Sequence, residues 1–202
     1  MKQSIKLILF AVSLVLVLAV AVFGYHLLKG QFEQQQFQGF SSESGRPENQ
    51  SASSDSEGDD CQETQLAPDF TVYDGEGNSV SLSDFLGKPV IVNFWATWCG
   101  YCKQEMPDFQ KMYDQYGEQI VFLMVNLTDE NETQQKAEEY IQREGYTFPV
   151  YFDLEQDAAY TYYLTSLPTT LVVDEEGSVS GYAKGMVSLE GLQSAVDFLL
   201  EK

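Results

Sequence analysis

The run Val90-Ile91-Val92-Asn93-Phe94-Trp95 leads, through Ala96-Thr97-Trp98, straight into Cys99-Gly100-Tyr101-Cys102, and no other stretch restricts this chain as strongly. A short, nearly unbroken apolar and β-branched run is expected of a central strand buried on both faces. After it, Phe109, Met112, Tyr113 and Tyr116 recur at helical spacing, which predicts a helix from Cys99 to about Tyr116 whose apolar stripe is core packing. Cys99 then falls at a helix N-terminus, where unpaired backbone N–H groups and the helix dipole stabilise a thiolate, and Cys102 lies one turn on, within disulfide reach. A CxxC on its own also builds zinc sites. Placed at a strand-to-helix junction and preceded by Trp98, it points to redox chemistry.

Composition removes the rivals. The only histidine, His26, lies in an N-terminal apolar segment, so the globular part can hold neither a Ser-His-Asp nor a Cys-His nucleophilic site, and no His-ligated catalytic zinc. Three cysteines cannot build a four-cysteine zinc site, and no metal or cofactor is expected. The formal net charge of −20 leaves no basic footprint for nucleic acid.

From Leu7 to Leu28 there is no charged residue if His26 is neutral; Lys2 and Lys6 precede the stretch and Lys29 ends it. As a helix it would span about 33 Å, enough for a hydrocarbon core of roughly 30 Å. A cleaved signal peptide ending near Ala19-Val20-Ala21 is the rival reading, but the apolar run continues past it, so residues 1–29 are expected to form a transmembrane anchor with the N-terminus inside and the domain outside. Residues 30–65, rich in Gln, Ser, Glu, Asp and Gly, are expected to be a flexible acidic tether. It contains Cys61, an odd thiol whose neighbouring Asp59 and Asp60 should blunt its reactivity. Asn-x-Ser/Thr sequons begin at Asn49, Asn126 and Asn131.

Residues 66–202 read as alternating strands and helices. Phe70–Val72 and Val80–Leu82 flank a Gly-rich hairpin turn; Ile120–Val125 is a second buried strand; Glu132–Glu144 is a polar helix with a narrow apolar face. A short strand at Phe148–Phe152 and a short helix at Asp157–Tyr163 follow. Leu171–Asp174 and Val179–Ala183 bracket a second hairpin, and Ser188 N-caps a closing helix. The pattern predicts an α/β fold, a three-layer α/β/α sandwich on a central mixed sheet with an N-terminal β-hairpin.

With these elements in place the chain resembles thioredoxin-fold proteins, and within them the membrane-anchored, extracytoplasmic thiol–disulfide oxidoreductases of the ResA/TlpA-like group. The resemblance rests on Ala67-Pro68-Asp69-Phe70, Leu82-Ser83-Asp84-Phe85-Leu86-Gly87-Lys88-Pro89, the CxxC block, Leu167-Pro168-Thr169-Thr170 and the terminal hairpin and helix. Peroxiredoxins share the first two motifs, so Trp98-Cys99-Gly100-Tyr101-Cys102 decides between them. The resemblance implies that Cys99 attacks a substrate disulfide and Cys102 resolves the mixed disulfide. It also implies that Pro168 is a cis-proline facing the CxxC and aiming the Leu167 backbone at an incoming strand. Trp98 is expected at the rim and Trp95 in the core.

Cytosolic thioredoxins carry a buried Asp where this chain has Asn93, which cannot exchange protons. Glu105, three residues beyond Cys102 and a turn along the same side of the helix, is the candidate replacement, and Pro107 should kink the helix just beyond. The group's function implies reduction of disulfides in exported proteins, apocytochromes c among them, with electrons from a membrane donor of the CcdA/DsbD type. Two alternatives stay open: a disulfide-forming oxidase or isomerase, and a client-binding module whose CxxC is a static bond.

Overall fold

A computed structural model describes residues 66–201. The proposed anchor and tether, Cys61 and Asn49 lie outside the described residues; among the described residues no helix is long and apolar enough to cross a membrane.

The elements in chain order are β1 (Thr71–Tyr73), β2 (Ser79–Ser81), a 3-10 turn (Leu82–Phe85), β3 (Val90–Trp95), α1 (Gly100–Tyr116), β4 (Val121–Asn126), α2 (Gln134–Glu144), β5 (Val150–Phe152), α3 (Asp157–Thr161), β6 (Thr169–Val173), β7 (Val179–Lys184) and α4 (Leu189–Leu200). They build a mixed, seven-stranded sheet in the order β2-β1-β5-β4-β3-β6-β7. β3 runs parallel to β4 and antiparallel to β6, and every one of its residues is buried, as its composition demands. The N-terminal hairpin joins the sheet through the antiparallel pair Tyr73↔Phe152.

Because side chains alternate across a strand, β3 serves two cores. Ile91 and Trp95 face α1, α2 and α4, packing with Met106, Phe109, Tyr140 and Val196 among others. Val90, Val92 and Phe94 face Phe70, Leu82 and Ala158, so the 3-10 turn, α3 and the first hairpin cover the other side. The layers are unequal: three full helices lie on one face, and only the five-residue α3 on the other.

Several boundaries differ from the sequence reading. The first strands sit one residue later and earlier than expected, and Leu82 enters the 3-10 turn. α2 begins at Gln134, capped by the Thr133 hydroxyl accepting from the Lys136 N–H, so Glu132 lies before the helix rather than in it. α3 ends at Thr161; Tyr163, with φ of 46°, cannot continue it. β6 begins two residues early, at Thr169, directly after Pro168. Ser188 caps α4 as expected, its hydroxyl accepting from the Gly191 N–H. Pro107 sits inside α1, which continues unbroken to Tyr116. The second sequon is closed, since Asn126 is buried on β4.

Candidate active site

β3 delivers the chain to the end of the sheet at Trp95, and residues 96–99 turn it into α1. The Cys99 N–H donates to the Ala96 carbonyl at 3.1 Å, closing the turn. Cys99 is the N-cap of α1, and its Sγ accepts from the Cys102 N–H at 3.1 Å, one of the orphan donors of the first helical turn. Cys99 and Cys102 form a disulfide, with Cα atoms 5.3 Å apart. The two sulfurs are not equivalent: Cys99 is 5 % exposed and Cys102 fully buried. An incoming group therefore meets Cys99 first.

Glu105 is buried on the inner face of α1, one turn beyond Cys102. Its Oε1 accepts from Asn93 Nδ2 at 2.8 Å and its Oε2 from the Val187 N–H at 2.9 Å. Burial pushes its pKa up from 4.5 to about 7, against the opposing pull of those two donors. The carboxyl is thus poised to gain or lose a proton near neutrality.

Asn93, which the sequence shows only as a missing acid, turns out to hold that carboxyl. Its Nδ2 also lies 3.2 Å from Thr170 Oγ1, its direct partner across the β3–β6 ladder, while its buried Oδ1 has no hydrogen-bond partner among the described residues. The roles of Thr170, whose hydroxyl meets the Asn93 amide, and of Val187, whose N–H meets the carboxylate, are not visible in the sequence, because they depend on how distant segments are brought together.

The Leu167–Pro168 peptide bond is cis. Register places Phe94 opposite Thr169, which carries Pro168 to the level of Trp95, at the same sheet end as the CxxC turn. The Pro168 carbonyl accepts from the Gly185 N–H at 2.8 Å, and half-buried Leu167 packs against the core cluster that includes Cys99. The exposed ring of Trp98 stands beside the disulfide at 62 % exposure, with Tyr101 at 63 %; Trp95 is fully buried. The structure thus gathers Cys99, Cys102 and Glu105 on one stretch of α1 and brings Pro168 to its end of the sheet. Among the described residues no cluster of His, Cys, Asp and Glu could hold a metal ion.

The AhpC/TSA family model matches residues 64–181. The chain is 34 % identical over 136 residues to the thioredoxin-like protein YneN of Bacillus subtilis, covering 67 % of this chain and 79 % of the relative. It is 36 % identical over 128 residues to the thiol-disulfide oxidoreductase ResA of Geobacillus kaustophilus, covering 63 % and 72 %. The crystal structure of a putative thiol:disulfide interchange protein DsbE from Chlorobium tepidum superposes with a TM-score of 0.60 at 28 % identity, covering 68 % of this chain and 96 % of that one. Taken with the disulfide at the mouth of α1 and the mixed sheet, these similarities lead to one conclusion: the chain belongs to the AhpC/TSA family and is a thioredoxin-like thiol–disulfide oxidoreductase.

Proposed function

We propose that this protein is an exported, membrane-tethered reductase of disulfides in extracytoplasmic proteins, apocytochromes c among its clients. The observation that carries the mechanism is a buried Cys102 followed, one turn along α1, by a buried carboxyl whose pKa burial pushes up to about 7. In the reduced enzyme the Cys99 thiolate, stabilised by the Cys102 N–H and the α1 dipole, attacks a client sulfur. One client thiolate leaves and a mixed disulfide forms on Cys99. Glu105 takes the Cys102 proton, and the Cys102 thiolate displaces the second client sulfur from Cys99. The client departs as a dithiol and the enzyme is left with the Cys99–Cys102 disulfide. A dithiol donor in the membrane, of the CcdA/DsbD type, then returns two electrons by the reverse exchange. The exposed Trp98 ring and the backbone of Leu167 beside Pro168 form the client-binding edge.

The apolar stretch 7–28 supports the anchor and the acidic segment 30–65 the tether, which together hold the domain at the outer membrane face. Cys102→Ser tests the exchange roles: it should trap clients as mixed disulfides on Cys99, cleavable by dithiothreitol. Clients trapped on Cys102 in a Cys99→Ser variant instead would reverse the two roles. Redox titration against glutathione fixes the direction of flow. A potential near the thioredoxin value of about −270 mV supports a reductase, and one near the DsbA value of about −120 mV makes the protein an oxidase.

A further inference from the structure

Glu132 is fully buried, although the loop around it is polar and nothing in the exchange cycle uses it. Its Oε1 accepts from the Thr97 N–H at 2.6 Å and from Asn126 Nδ2 at 2.8 Å, and its Oε2 accepts from Thr97 Oγ1 at 2.5 Å. All three donors are uncharged. The loop that presents it is itself fixed, since the Glu132 N–H donates to Asp129 Oδ1 at 2.7 Å and the Asp129 N–H to the Glu132 carbonyl at 2.8 Å. Burying a carboxylate without a cation is costly, and an apolar side chain would fill the same space more cheaply. What an apolar side chain cannot do is grip one residue by both its backbone and its side chain.

The gripped residue is the informative one. Thr97 stands midway between Trp95, the last residue of β3, and Cys99, the N-cap of α1. Asn126, the remaining donor, ends β4 directly opposite Trp95, and the Leu127 N–H donates to the Trp95 carbonyl at 3.0 Å. Glu132 therefore ties the turn that follows β3 to the end of β4. With Thr97 held, the turn keeps the Cys99 N–H on the Ala96 carbonyl and Cys99 Sγ in reach of the Cys102 N–H. We infer that Glu132 is a positioning residue for thiol exchange, clamping Thr97 so that the Cys99 sulfur is held at the mouth of α1.

This rests on Cys99 being the attacking thiol. The test uses the reduced full-length chain, with iodoacetamide alkylation followed across pH and each cysteine identified by peptide mass, together with insulin reduction and a thermal melt. Glu132→Ala should move the Cys99 titration upward, slow Cys99 alkylation at neutral pH about tenfold, and slow insulin turnover about tenfold. Glu132→Gln should recover both to within about twofold, since its carbonyl oxygen can accept from the Thr97 N–H while its amide donates to Thr97 Oγ1. A folded Glu132→Ala protein with the wild-type Cys99 profile overturns the proposal. So does a downward shift in both variants, which would mean that Glu132 acts on Cys99 by charge alone. If Glu132→Ala does not fold, Thr97→Val removes the hydroxyl bond alone and should give a smaller upward shift; an unchanged profile there is equally fatal. Preferential alkylation of Cys102 in the wild type would instead overturn the assignment of the attacking thiol.

Discussion

Glu105→Gln isolates the buried carboxyl from everything else in the site. Burial raises its pKa from 4.5 to about 7. That gap corresponds to about 3 kcal/mol of penalty on the charged form in the fold. Between the two values the unfolded chain has released the Glu105 proton and the folded chain still holds it. Stability therefore falls as pH rises through this window: the contribution is intact below the lower value and gone above the upper one. Glutamine cannot ionise, and its shape suits the site. Its carbonyl can take the Val187 N–H, and a half-turn of the Asn93 amide presents the unpartnered Oδ1 to its new N–H groups. The oxidised protein is the right material, because neither Cys99 nor Cys102 titrates in the disulfide. Urea unfolding from about pH 4 to pH 8 should show the wild type losing about 3 kcal/mol relative to the variant, the other carboxyls cancelling between them. A constant offset between the two curves would refute the buried-carboxyl account. In the reduced protein the same change should lower the Cys102 pKa and slow exchange about a hundredfold at neutral pH.

Two further substitutions separate client binding from stability. Trp98→Ala removes a ring that is 62 % exposed, so unfolding free energy should change by less than about 0.5 kcal/mol, while KM for protein disulfides rises and turnover of a small disulfide is unchanged. Gly177→Ala, at the far end of the sheet, places a Cβ 2.6 Å from Leu86 Cδ2 on a backbone with φ of +83°. It should cost about 1–2 kcal/mol in denaturant unfolding and leave the exchange rate of the folded protein intact.

The parts of the site that were legible in the sequence are those carried by a single element. The run 90–95, the CxxC and the stripe of α1 each announce themselves by local periodicity, and Glu105 follows because its spacing from Cys102 is fixed by the helix. What the sequence left unreadable joins elements distant in the chain. Asn93 meets Glu105 because β3 packs under α1, Thr170 meets Asn93 because β6 runs antiparallel to β3, and the Val187 N–H reaches Glu105 because the segment after β7 folds back to the site. From the sequence Glu132 reads as the first residue of a helix, whereas it lies just before α2. Its neighbour Thr133 is the better cap, and nothing in a polar loop signals which of its several acids turns inward. The unequal layers were hidden for a related reason: helix count is visible in periodicity, but the face on which each helix docks is not.

One mechanical consequence follows from the lateral pairing of β3. In the proposed cycle, any tension on a client linked at Cys99 would reach the domain through the short turn after Trp95. Pull applied along β3 loads its ladders to β4 and β6 in shear, so that their bonds must yield together rather than peel one after another. The sulfur proposed to attack is thereby moored to a strand held on both sides, and under that cycle a client under tension should part from the enzyme by thiol exchange before the domain unravels.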